Sequence, residues 1–132
     1  MSAPVEYLDL DDVIALSERL LGAPAPIRDV GLLGSAIARP QTIVVGRDAY
    51  ADLWSKAAAL LQSIVNNHAL IDGNKRVGWL ATAVFLELNG IAIAGAANDK
   101  VYDLVVAVAA THLSVDEITE RLRQLTDSAT SG

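Results

Sequence analysis

The chain has 132 residues, of which 52% are hydrophobic, only 5% aromatic and none cysteine. That suffices for one domain whose core is built from Ala, Leu, Val and Ile, and it excludes disulfides and thiolate metal sites as staples. Ten basic against 16 acidic residues leave a net charge of −6, which repels phosphate backbones, argues against direct nucleic-acid binding and suits a basic partner segment.

The first stretch, MSAPVEYLDLDD, is polar and acidic, with neither the basic start nor the apolar run of a secretory signal. Apolar stretches further on are interrupted by charges well before the ~20 residues that a membrane span requires. A soluble, cytoplasmic protein is expected. From about Asp9 to Leu21, Leu10, Val13, Ile14 and Leu21 recur at helical spacing, and Gly22 stops the helix. Ala23 to Pro26, APAP, predicts a stiff loop. A second helix is expected from Asp29 to Arg39, with Leu33, Ala36 and Ile37 inward, ending before Pro40.

Thr42, Ile43, Val44 and Val45 form a β-branched run closed by Gly46. It is too short for a core strand in a chain with no other, so a small extended flap or hairpin is expected, with an ordinary loop as the plainer alternative. From about Asp52 the pattern turns helical again. Leu53, Ala57, Leu60, Leu61, Ile64 and Val65 share one stripe. His68 extends it, which predicts an imidazole pointing inward. A further helix starts near Asn74, apolar on nearly all sides (Val77, Leu80, Ala81, Val84, Phe85 and Leu88, with Trp79, Ala83 and Leu86 elsewhere), and is expected to be the central one. Asn89-Gly90 ends it. Asn98 is expected to cap a helix carrying Val101, Leu104, Val105 and Val108. Ser114 and Glu117 form a capping-box pattern ahead of Ile118, Leu122 and Leu125. The tail from about Asp127 is small and polar and expected to fray. The prediction is an all-α, single compact domain over residues 1–132, with about six helices and a short β-flap.

Between the two most apolar helices lie His68, Asp72, Gly73, Asn74, Lys75 and Arg76. So many polar groups beside a core are costly unless satisfied or used. Gly73 permits a tight turn, and the amides that follow open a helix, a ready anion site. Lys75 and Arg76 put positive charge at that same end, which is unfavourable there unless something negative sits between them. Phosphate fits, bound bidentately by Arg and as a point charge by Lys. Asp72 is then placed to hold Mg²⁺ alongside the phosphates, and His68 to act as general base on a hydroxyl. Taken singly, each residue has a blander reading: a core histidine, a helix N-cap, a turn.

Read in order, the segment is His68-Ala69-Leu70-Ile71-Asp72-Gly73-Asn74-Lys75-Arg76. It resembles the central motif of the Fic/Doc family, written H-P-F-x-[DE]-G-N-G-R-x-x-R in the Fic branch and H-x-F-x-[DN]-[AG]-N-K-R in the Doc branch. Lys75 stands where Fic enzymes have their second glycine, and Trp79 where they have a second arginine; both features are similar to the Doc form. Ala69 replaces a frequent proline and Leu70 the loop-anchoring phenylalanine. Asp29–Leu33, Ala36, Arg39-Pro40 and the Thr42–Val45 run are similar to the family's early helix and active-site flap.

The resemblance implies a toxin of a toxin–antitoxin module that uses ATP and Mg²⁺. In the Doc branch the lysine reverses the nucleotide, so the γ-phosphate goes to a threonine of elongation factor Tu and translation stops. A cognate antitoxin lays a helix into a groove near the site. Carried over residue by residue, the resemblance makes His68 the base, Asp72 the metal ligand, and Gly73, Asn74, Lys75 and Arg76 the phosphate cradle. AMP transfer, as in Fic enzymes, and a non-catalytic, antitoxin-binding family member are the alternatives. A metal hydrolase using His68, Asp72 and His112 has too poor a ligand set. Arg39 and Arg47 flank the flap, where they either meet the nucleotide or target or are simply solvated. His112 suits a helix end, Trp54 and Trp79 suit packing, and Asn66 and Asn67 lie close enough to the motif for a polar contact with nucleotide.

Overall fold

A computed structural model describes residues 4–131. Asp9 opens α1 (Leu10–Leu21) through a reciprocal box, its Oδ1 accepting from the Asp12 amide at 2.8 Å while Asp12 Oδ2 accepts from the Asp9 amide at 3.0 Å. Gly22, at φ 94°, ends it. Asp29 caps α2 (Val30–Ala38) by accepting from the Leu32 amide at 3.0 Å. The α-helix ends before Pro40, as the sequence suggests. The chain then tightens into a short 3-10 helix, Arg39–Gln41, where a proline in the first turn forfeits no hydrogen bond.

The flap is a hairpin. Strands β1 (Ile43–Val44) and β2 (Arg47–Asp48) pair antiparallel, with Ile43 opposite Asp48 and Val44 opposite Arg47. The two turn residues, Val45 and Gly46, have φ of 51° and 73°, the positive pair that matches strand twist in a tight hairpin. Then follow α3 (Leu53–Asn67), α4 (Asn74–Leu88), α5 (Asn98–Thr111) and α6 (Val115–Ser131). The expected all-α domain with a short hairpin is thus present among the described residues.

The centre of the domain is α3, not α4. Helices α2, α4, α5 and α6 all pack on it, and every residue from Lys56 to Leu61 is buried. The Ala57-Ala58-Ala59 run is the reason: small side chains let neighbours approach on all sides, whereas the sequence pattern weights only bulky apolar positions. Helix α4 packs on α1, α3 and α5 and leaves Leu88 exposed. It packs tightly on α3 at Gly78, where a Cβ would lie 2.8 Å from Val65 Cγ2. At its end, Gly90 at φ 84° and the bond from the Ile91 amide to the Leu86 carbonyl (2.9 Å) complete the expected left-handed cap.

Two helix ends differ from expectation. Asn98 is the first residue of α5 rather than its cap; Ala97 stands at the cap with no side-chain bond. Its extended backbone turns the Ala97 carbonyl onto the amides of Lys100 and Val101, so the first turn forms without a side-chain cap. Helix α6 continues to Ser131 instead of fraying at Asp127. Its Ser114–Glu117 box forms as read, Ile118, Leu122 and Leu125 are buried, and once nucleated and packed a helix adds further residues cheaply. Gly132 lies outside the described residues.

Polar contacts tie the elements together. Buried Lys56 donates from Nζ to Asp48 Oδ2 (3.2 Å) and to the Tyr50 carbonyl, fastening the base of the hairpin to α3. The Arg123 guanidinium of α6 donates to Asp52, the N-cap of α3, and lies 4.8 Å from the Trp54 ring centre. Trp54 Nε1 donates to Thr126 Oγ1 at 3.0 Å.

Gly78→Val should lower stability by about 1–3 kcal/mol through overpacking. Gly34→Ala, in a helix with nothing within 4 Å of the added methyl, should raise it by about 0.5–1 kcal/mol. Urea unfolding midpoints at constant slope decide both. Burial pushes the Asp52 carboxyl up, but the Ser55 amide and hydroxyl and Arg123 outweigh it, so the group titrates below its ordinary 3.8. A lowered folded value stabilises above 3.8 and loses that contribution as pH falls through the folded value. Asp52→Asn keeps a competent cap but loses the charge. It should be less stable than the parent at neutral pH, and urea melts in acid should show the difference shrinking below pH 3.8.

Candidate active site

The site begins where α3 ends. His68 is the C-terminal cap in the left-handed conformation, φ 53° and ψ 42°, which costs a residue with a Cβ roughly 1–2 kcal/mol. This turn removes His68 from the α3 stripe, so the imidazole does not point inward as its periodicity predicts: His68 is exposed. The next two residues turn back into the core, Ala69 and Leu70 being 1% and 2% exposed. Leu70 thus anchors the loop as expected of the residue in the phenylalanine position.

A second segment grips this loop from outside. The Arg28 and Asp29 amides both donate to the Ala69 carbonyl, at 2.8 and 3.0 Å, and the Ile71 amide donates to the Pro26 carbonyl at 2.8 Å. The Arg28 guanidinium donates to the His68 carbonyl, from Nε at 3.0 Å and also from Nη2. Asn74 closes the loop from its other end, its Oδ1 accepting from the Leu70 amide and its Nδ2 donating to the Leu70 carbonyl, both at 3.0 Å. One donor and one acceptor site of the Asn74 side chain are committed to the loop, which leaves its backbone amide and the second N–H of Nδ2 for a ligand. Gly73 sits at φ 83°, and a Cβ there would lie 2.7 Å from Leu21 Cδ1. The positive φ favours glycine here, and a Cβ would in addition have to displace the end of the Leu21 side chain.

Gly73 caps α4 without a side chain, so no side-chain acceptor serves the first amides of that helix. Asp72 Oδ1 accepts from the Gly73 amide at 2.8 Å, while Oδ2 stays 3.9 Å from Arg76 Nη2. With their side chains 87% and 59% exposed, this pair is worth little in water and leaves both groups available. Lys75 is exposed and has no ion-pair partner among the described residues.

These residues converge on one cleft of about 200 Å³, lined by His68, Asp72, Gly73, Asn74, Lys75 and Arg76 together with Val65, Ile71 and Ala109. Its lining combines three apolar side chains with two cations, a carboxylate and uncapped amides. That arrangement can hold a phosphorylated ligand beside an imidazole. Among the described residues no three or more His, Cys, Asp or Glu side chains cluster as a metal site. A cation at Asp72 would take its remaining ligands from phosphate and water, the usual manner of Mg²⁺.

Other residues fall elsewhere. The hairpin does not line this cleft; its base borders a second recess of about 470 Å³ with Ser35, Ala38, Arg39, Thr42, Ser63 and Asn67. Arg39 is half-buried and does not line the cleft of the motif. It braces the fold, donating to Tyr50 Oη (3.0 Å), Ser63 Oγ (2.8 Å) and Gln62. Arg47 is exposed on β2. His112 is the left-handed C-cap of α5, and Trp54 and Trp79 are half-buried packing. Asn66 is half-buried, and Asn67 Nδ2 reaches the Leu32 carbonyl at 3.5 Å. Arg28 and Lys56 escape sequence reasoning: nothing local marks a contact made 40 residues away, or a lysine buried among alanines.

Comparison with known proteins places the chain in a family. A family model described as the Fic/DOC family matches residues 7–86. A curated protein of Mycolicibacterium smegmatis, named Toxin Doc, is 45% identical over 128 residues, covering 96% of this chain and 98% of that protein.

The Asn74 clasp makes a local prediction. Asn74→Ala should speed hydrogen exchange of the Leu70 amide and cost about 1–3 kcal/mol, since it strands two polar groups. Asp72→Ala should leave that amide protected. NMR-detected exchange on the two variants distinguishes them.

Proposed function

The chain belongs to the Fic/DOC family, and from that premise we propose that it is a Doc-type toxin, a kinase moving the γ-phosphate of ATP to a Ser or Thr hydroxyl of elongation factor Tu. The observation that carries the reading is Lys75. It occupies the position of the second Fic glycine, lines the cleft and stands beside Arg76 at the start of α4. A lysine there fills space that a glycine leaves to the phosphates and adds a point charge. This supports entry of the triphosphate in the reversed sense, terminal phosphate toward His68. The relative named Toxin Doc, aligned over nearly the whole chain, supports the extension from family to toxin, and with it a cognate antitoxin. Such a target puts the protein's work in the cytoplasm; among the described residues no helix is long and apolar enough to cross a membrane.

In this mechanism His68 accepts the proton of the target hydroxyl as its oxygen bonds to the γ-phosphorus. The bond from that phosphorus to the β–γ bridging oxygen breaks, and ADP leaves. Lys75, Arg76 and the amides opening α4 stabilise the charge spread over the transferring oxygens, and they are in place beforehand. Asp72 fits as the single protein carboxylate on Mg²⁺, with phosphate oxygens completing the set; when bound, the ion neutralises phosphate charge.

The test is incubation with elongation factor Tu, Mg²⁺ and ATP labelled at the α or the γ position. The target should gain one phosphate and the γ label. His68→Ala should reduce transfer by about 10²–10⁴-fold, and expression of that variant should no longer arrest growth. A gain of AMP with the α label would replace the kinase reading with AMP transfer. No labelling of the target, with growth arrest intact in His68→Ala, would point to a non-catalytic binder.

A further inference from the structure

The carbonyl of a helix cap has no amide ahead of it and needs another donor. At the end of α3 this orphan belongs to His68, the residue proposed as base. Its donor is Arg28, which reaches across 40 residues from the loop before α2 and meets the one oxygen through two guanidinium nitrogens, Nε at 3.0 Å and Nη2. A cation at a helix C-terminus is also favoured by the dipole. Arg28 is exposed, so no core packing explains its placement. The main-chain bonds beside it hold Ala69 and Ile71, but none of them holds His68. The imidazole itself has no hydrogen-bond partner among the described residues. Its direction is set by a backbone in the left-handed conformation, which a residue with a Cβ leaves readily when released.

We infer that Arg28 is a positioning residue for His68: its guanidinium clamps the His68 carbonyl and thereby fixes the left-handed turn that aims the imidazole into the cleft. The inference rests on the reading of His68 as the base in phosphoryl transfer. Arg28 touches neither the nucleotide cradle nor the reacting atoms, so its loss should act on turnover and spare nucleotide binding. Lysine can donate to the same carbonyl, though from a single nitrogen, whereas methionine keeps the apolar stem and donates nothing.

The experiment compares Arg28→Met and Arg28→Lys with the parent. Arg28→Met should lower kcat by about ten- to a hundredfold, the size expected of a misplaced catalytic group. KM for ATP should stay within about twofold, as for an interaction that binds nothing in the ground state. The thermal midpoint should move little, and Arg28→Lys should recover most of kcat. In the nucleotide-free protein, the His68 ring resonance, assigned by its absence in His68→Ala, should shift or broaden in Arg28→Met and return in Arg28→Lys. An unchanged kcat overturns the inference, as does a loss matched by a fall in the thermal midpoint that lysine does not repair. Should the parent transfer no phosphate, the kinase reading fails by itself; the ring resonance still decides the role of Arg28, and an unperturbed signal in Arg28→Met overturns it.

Discussion

The site depends on a clasp between two loops far apart in sequence. Residues 26–29 and 69–71 exchange main-chain hydrogen bonds as a strand pair would, though neither belongs to a strand, and Ile27 stands opposite Leu70. Their pairing satisfies backbone groups that would otherwise be buried beside the core without partners. It also fixes the loop before any ligand arrives. Leu70 drives the loop inward, Asn74 ties it to the helix that follows, and Gly73 packs against the last residue of α1. The result is a short, rigid loop presenting His68 and Asp72 outward from a buried base.

Charge is arranged against the protein's overall balance. The chain carries a net −6, yet two cations stand at the start of α4, where the helix dipole disfavours them. The nearest carboxylate, Asp72, remains 3.9 Å from Arg76 and well exposed, too far and too wet to neutralise the pair. The Gly73 cap leaves the first amides without a side-chain acceptor. Apart from Asp72, whose carboxylate serves the Gly73 amide and stays exposed, little quiets this end of the helix, which suits a phosphate as its complement.

Much of this was legible in the sequence, and the failures share a cause. The helix starts near Asp9, Asp29 and Asp52 and the Ser114–Glu117 box follow from local chemistry, whereas Val45, read as part of the extended run, sits in the hairpin turn at a positive φ that a β-branched residue rarely adopts. The motif gathered into one cleft because its residues are neighbours in the chain. What could not be read were contacts across the chain and exceptions to periodicity. His68 lies in phase with the α3 stripe, and only the left-handed turn takes it off. Helix α3 became central through alanines that carry no strong hydrophobic signal. Lys56 reads as a solvent residue in any local window, but it finds Asp48 and Tyr50 in a buried setting. Arg39 likewise found three side-chain partners across the chain.

Loops between helices are ordinarily where a protein tolerates insertions, because their backbone bonds to water. The connection from α1 to α2 is an exception in this fold. Its backbone from Pro26 to Asp29 is committed to the loop carrying His68. One residue added or removed there would shift the register of that pairing and be felt at the imidazole, although the motif itself would be untouched. The connection from α4 to α5 makes no such contact with the motif loop. Variation in loop length should therefore be unevenly distributed around this domain, with the segment after Gly22 holding its length as strictly as the motif.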